Sequence, residues 1–222
     1  MATTGKLTPA MRQYMQAKKE VTDDTILLFR MGDFYELFFE DAKRGADLMD
    51  IVLTKRGGVP ICGIPYHALQ SYVARILEKG VKVAIAEQME DPKEAKGLVK
   101  REITQVITPG TVLDDQVLNA AQSNFLAAIA VDRDRYGLAL LDFSTGDFRI
   151  TELPTTTALE TELHRLQPAE CVVGERQYEN WQREGFPDAP ARLVWTPLED
   201  WLFDNDVAQD RLVNGHIVVG PA

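Results

Sequence analysis

In the stretch FRMGDFYELFFEDAKRGADLMDI, residues 29–51, the centre at 31–39 sets four aromatic side chains (Phe34, Tyr35, Phe38 and Phe39) around a Gly32-Asp33 pair and Glu36. A wholly buried segment would not carry Asp33 and Glu36, and a wholly exposed one would not carry four rings. TILLFRM reads as a strand, Gly32-Asp33 as a turn and FYELFF as the returning strand of a hairpin. Alternate side chains of a strand share a face. Tyr35, Leu37 and Phe39 then form one set, which is core. Phe34, Glu36 and Phe38 form the other, which places a ring and a carboxylate side by side near the turn. Two readings of that pair stay open from pattern alone. One is a half-buried hairpin end. The other is an apolar wedge with an adjacent hydrogen-bond acceptor, of the kind that enters a duplex minor groove and partly unstacks a base step. Unstacking is cheaper at a mispaired step, so a wedge discriminates by deformability without reading sequence.

Working outward, LTPAMRQYMQAKKE is a helix with Thr8 as N-cap and Pro9 in its first turn. EDAKRGADLMD has helical spacing, IVLT reads as a short strand and KRGG as a basic loop. ALQSYVARILEK carries a helical stripe, and VKVAIAEQ and REITQVIT read as strands. Residues 108–124, TPGTVLDDQVLNAAQSN, break the pattern and read as an interdomain connection. Beyond it, FLAAIAVD, YGLALLDFS and GDFRITEL are three strands joined by short turns. Helix and strand then alternate through TTTALETELHRLQP, AECVVGE, RQYENWQREG, ARLVWT and DNDVAQDRLV. The expectation is an α/β protein of two small domains. A mixed-sheet domain covers 1–113, a linker 114–123, and an incomplete ribonuclease-H-like domain 124–222.

The chain has 222 residues, 45% of them hydrophobic, so each half can bury a core. No apolar run approaches the ~20 residues of a membrane span. MATTGKLTPAMRQY has no apolar signal-peptide segment. A cytoplasmic location and no membrane partner are expected. Cys62 and Cys171 form no C-x-x-C and are expected to be packed free thiols; no metal site is expected. The net charge of −10 is uneven: residues 1–115 hold 16 basic and 17 acidic side chains, residues 116–222 hold 8 and 17. Only the first half can present a basic patch to phosphates.

RMGDFYELFFEDA, followed in order by LTKRGG, GIPYHAL and VITPGT, closely resembles the N-terminal region of the MutS family of DNA mismatch-recognition proteins over most of residues 8–113; residues 124–213 resemble its connector domain more loosely. The resemblance implies that Phe34 stacks on a mispaired or unpaired base and that Glu36 hydrogen-bonds it. It implies double-stranded DNA with mispaired or unpaired bases as partner, other mismatch-repair proteins as partners of the connector, and a dimeric full-length protein. Lys55 and Arg56 are phosphate-contact candidates or a solvated basic turn. Met31 and Asp33 touch DNA or only shape the turn. Gln105 stands where some relatives carry a basic residue. Family members are ATPases, yet no G-x-x-x-x-G-K-[ST] occurs in the chain. The chain therefore reads as a non-enzymatic N-terminal piece without cofactor, ATP and Mg²⁺ being expected only of the full-length protein. Two rivals remain: a nuclease using Asp132, Asp142 and Asp147, and a protein-interaction module in the acidic second half.

Overall fold

The computed structural model describes residues 7–90, 97–112, 124–133 and 135–213. The chain divides into two units, residues 1–108 with 114–117 and residues 109–113 with 118–222. The expected linker at 114–123 and the chain end at 214–222 both lie wholly outside the described residues.

The first unit begins with helix α1 (Pro9–Lys18), whose N-cap Thr8 accepts a hydrogen bond from the Met11 N–H at 3.2 Å. Strands β1 (Ile26–Met31) and β2 (Phe34–Phe38) form the expected hairpin. Helix α2 (Phe39–Met49) follows, then β3 (Thr54–Arg56), β4 (Val59–Pro65), α3 (Leu69–Glu78), β5 (Val83–Gln88) and β6 (Arg101–Ile107). Among the described residues these strands make a six-stranded sheet in the order β3-β4-β2-β1-β5-β6. β1 runs parallel to β5 and the other pairs are antiparallel, so the sheet is mixed.

Helices cover both faces of this sheet. Met11, Tyr14 and Ala17 of α1 pack on Leu27, Phe29, Phe38, Ala84 and Ala86. The opposite parity, including Leu37, meets α2, where Gly45 allows the close approach: a Cβ there would lie 2.5 Å from the Leu37 side chain. Asp41, buried in the first turn of α2, accepts from Tyr14 Oη at 2.7 Å and the Leu27 N–H at 3.1 Å and pairs with Lys18 at 3.0 Å. Burial first, and the Asp41 charge second, push the Tyr14 hydroxyl well above its usual range.

Three expectations need revision here. Phe38 shares the parity of Phe34 but is buried, because α1 brings Tyr14 to 5.0 Å from its ring. Phe39 is not the end of a strand. It opens α2 in the left-handed region, φ 56°, and is only half-buried. Residues 51–53 are not strand; Asp50 ends α2 at φ 55°, and Val52 and Leu53 are exposed.

In the second unit β7 (Phe125–Asp132), β8 (Arg135–Asp142) and β9 (Asp147–Leu153) form an antiparallel meander. α4 (Thr156–Leu166) leads to β10 (Glu170–Gly174), which pairs parallel with β7, and α5 (Glu175–Glu184) to β11 (Val194–Leu198), which pairs parallel with β10. The order β11-β10-β7-β8-β9 is the ribonuclease-H-like arrangement expected from the sequence. Leu159 and Leu163 of α4 and Trp181 of α5 join the same core as Phe125, Ile129, Leu138 and Val173. The segment after β6 belongs here: the Gly110 N–H donates to the buried Glu170 carboxylate at 3.1 Å, and its other oxygen accepts from Thr196 Oγ1 at 2.6 Å. A Cβ on Gly110 would lie 2.9 Å from that of Glu170.

Candidate nucleic-acid interface

The site hangs on one turn. Met31 pairs with Phe34, leaving Gly32 and Asp33 as a two-residue loop. Gly32 takes a positive φ of 62° and Asp33 does not, the combination of a type II′ turn with glycine in first place. The Asp33 carbonyl accepts from the Tyr66 N–H at 2.9 Å. Arg30 donates to the Gly32 carbonyl while its guanidinium carbon lies 4.3 Å from the centre of the Tyr66 ring and 5.2 Å from that of Tyr35. The loop is thus braced by a backbone bond and a cation–π stack.

This bracing presents Phe34 at the strand's start with 48% of its surface exposed, on a strand whose other end, Phe38, shows 1%. Residues opposite one another on adjacent strands share a face. Glu36 faces Phe29 on one side and Gly63 on the other, and Gly63 has no side chain to fill the space above the sheet. The result is a hollow of about 530 Å³ lined by Phe34, Glu36, Val52, Thr54, Arg56 and Gly63 among others, Lys55 included.

Lys55 and Arg56 are not in a loop, as KRGG suggested. They are the last two residues of β3, ahead of a two-residue turn in which Gly57 and Gly58 both have positive φ, 59° and 85°. That is the type I′ hairpin pattern. Arg56 reaches back to Glu36 with both terminal nitrogens, at 3.2 and 3.1 Å. The side chain of Glu36 is 15% exposed and that of Arg56 58%, so the guanidinium is the outer partner. Arg101 stands farther off, stacked 5.3 Å from the Phe29 ring; burial lowers its pKa and the charge of Glu36 opposes that shift.

The structure therefore gathers Phe34, Glu36, Lys55 and Arg56 around one hollow. Met31 is half-buried against the α1 core, and Asp33 is exposed in the turn it closes; neither lines the hollow. Gln105 is exposed on edge strand β6, with β5 and β1 between it and β2. Sequence reading missed Val52, 79% exposed, because IVLT passed for strand. It also missed Gly63, although a glycine inside an apolar run is a signal of close approach or open space.

The three aspartates of the second unit do not converge. Asp142 and Asp147 pair across β8–β9, while Asp132 lies at the far end of β7, whose other end, Phe125, pairs with Asp142. Seven strand steps separate those ends, about 23 Å at ~3.3 Å per residue. Asp142 is buried and accepts from Ser144 N at 2.9 Å, Ser144 Oγ at 2.7 Å and Asn124 N at 3.3 Å. Burial alone would raise its pKa, and these hydrogen bonds outweigh it and lower it. Asp147 pairs with Arg149. Among the described residues no group of three or more His, Cys, Asp or Glu is placed to hold a metal ion.

MutS domain I matches residues 8–116 of this chain, and MutS domain II matches residues 124–216. The chain belongs to the MutS family. Among curated relatives, the DNA mismatch repair protein MutS of Desulfatibacillum aliphaticivorans is 45% identical over 213 residues, covering 94% of this chain and 24% of the relative. That of Syntrophobacter fumaroxidans is 45% identical over 221 residues, 96% and 24%. That of Syntrophomonas wolfei is 49% identical over 174 residues, 75% and 20%. The chain thus spans about a quarter of the length of these MutS relatives, and its two units carry the first two MutS domains. Among the described residues no helix is long and apolar enough to cross a membrane.

Proposed function

We propose that this chain recognises mispaired or unpaired bases in double-stranded DNA, as the mismatch-repair component its relatives' names describe. Phe34 wedges at the defective step and stacks on a base, and Glu36 hydrogen-bonds that base. Lys55 and Arg56 meet the sugar–phosphate backbone, and Met31 and Asp33 set the height and angle of the turn. The unit built on β1–β6 forms the recognition domain and the unit built on β7–β11 the connector. The connector transmits the bound state to the rest of the full-length dimer and to other repair proteins. The reading places the protein in the cytoplasm, with no catalysis of its own.

The observation that carries this reading is Phe34. A half-exposed ring held at a braced hairpin turn, next to a carboxylate above an open hollow, has no core to serve. The test is a fluorescence-anisotropy titration of the chain on G·T and G·C duplexes of one sequence. Preference for the G·T duplex is expected, with weak binding overall and a shallow salt slope, since residues 1–115 hold 16 basic against 17 acidic side chains and log K changes by about 0.9 per neutralised phosphate per decade of salt. Equal affinity for the two duplexes would refute the reading.

A further inference from the structure

Glu36 is not the free acceptor that its proposed role requires. Both of its oxygens are held by the fork of Arg56, and the guanidinium lies on the solvent side, 58% exposed over a carboxylate that is 15% exposed. A base approaching Glu36 meets Arg56 first. A charged carboxylate facing phosphates is repelled, whereas the same carboxylate under an arginine is neutralised. Arg56 also has an obvious alternative: phosphate oxygens offer a guanidinium the same two-point geometry as a carboxylate.

We propose that Arg56 is the internal counter-ion of Glu36 and that it transfers to a backbone phosphate when duplex DNA docks, releasing the carboxylate towards the base. One arginine thereby makes the exposure of Glu36 conditional on backbone contact. The inference rests on the reading of Phe34 and Glu36 given above. The transfer is nearly neutral energetically. An exposed ion pair is worth about fivefold or less in an equilibrium constant, and a phosphate contact of the same form replaces it. Before docking, the pair keeps a bare negative charge from lying beside the Phe34 ring. After docking, the charge is unmasked only where a phosphate has taken the arginine.

The test is a double-mutant cycle of Arg56→Gln and Glu36→Gln in the full chain, read by anisotropy on G·T and G·C duplexes between about 50 and 200 mM salt. If Arg56 is on a phosphate in the complex, Arg56→Gln reduces the salt slope by about 0.9 on both duplexes. Its cost in affinity is about two- to fivefold smaller with Glu36 present than in the Glu36→Gln background, because only with Glu36 present must an ion pair open first. Arg56→Lys keeps the charge and hence the slope, but loses part of this coupling with the fork. An unchanged slope in Arg56→Gln means that the arginine stays on Glu36 and overturns the proposal. So does an equal or larger cost with Glu36 present, which would make Arg56 a permanent shield. Phe34→Ala, measured in parallel, separates the two levels. Lost G·T preference in Phe34→Ala with either failing result for Arg56 removes the transfer alone. Retained preference removes the site reading and the transfer with it.

Discussion

Phe34 and Phe38 lie on one face of one strand, four residues apart, and their truncations should fail in opposite ways. Phe38 is 1% exposed, and its ring lies 5.0 Å from that of Tyr14. Its replacement by alanine leaves a cavity, which costs about 3–5 kcal/mol for a buried phenylalanine. In a domain of this size that shifts the melting temperature by on the order of 10 °C or more. Phe34 is 48% exposed and pairs with Met31 and Pro65 at the strand's end. Its truncation removes roughly half the contact and leaves no closed cavity, so about 1 kcal/mol is the expected cost. On DNA the order inverts. Loss of one base–aromatic stack weakens binding by ~1–3 kcal/mol, about five- to 150-fold, and the loss falls on the G·T duplex. Thermal melting by circular dichroism and anisotropy on G·T and G·C duplexes measure the two effects separately. A Phe34→Ala variant that melts like Phe38→Ala would mean that the exposed ring is structural. One that keeps its G·T preference would mean that it never touches the base.

Glu36→Gln removes a negative charge facing DNA and should tighten binding to every duplex, the matched one included, so that the ratio of G·T to G·C affinity shrinks; an unchanged ratio would make Glu36 an ordinary surface carboxylate. Burial, then the charge of Asp41, pushes the Cys62 thiol up to about 12, so it should resist alkylation in the native chain near neutral pH and react fully in denaturant, as counted by mass spectrometry. Because that pKa is raised on folding, its stabilising effect is intact below the unfolded thiol's ~8.5 and is lost as pH climbs towards 12; melting of Cys62→Ser in that range should lose this part of the alkaline decline. Asp142 is the opposite case: its pKa is lowered on folding, so it stabilises above the unfolded carboxylate's ~3.9 and ceases to as pH falls through the lower folded value. Asp142→Asn should therefore be less stable than the parent at neutral pH and converge with it in acid, and parallel melting curves at all pH values would contradict this.

The elements that could be read in advance were those whose local signals agree. Gly32 marked the first hairpin, Thr8 and Pro9 the first helix, and the short turns between apolar runs the three-strand meander of the second unit. β4 was harder. Its sequence VPICGIP carries two prolines and a glycine, which argue against a strand, and it pairs nonetheless because the prolines fall near its ends while Gly63 faces Glu36. The burial of Phe38 depends on where α1 lands, which no pattern within β2 encodes. Phe34 and Glu36 were legible as a pair because two residues on one strand share a face. The Arg56–Glu36 pair was not. The residues are 20 apart in sequence, and their meeting requires the registers of β2 with β4 and of β4 with β3 together.

The division of labour along β2 has a consequence for how its gene can vary. Substitution at position 34 or 36 alters what the surface offers and leaves Tyr35 and Leu37 in place, so recognition can be retuned without renegotiating the fold. Insertion or deletion is another matter. Adding or removing a single residue between Gly32 and Phe38 exchanges the faces. The wedge and its carboxylate would be driven among the helices, and Leu37 or Tyr35 would be left outside. Changes of spelling are tolerable in this hairpin; changes of length abolish folding and recognition in the same stroke.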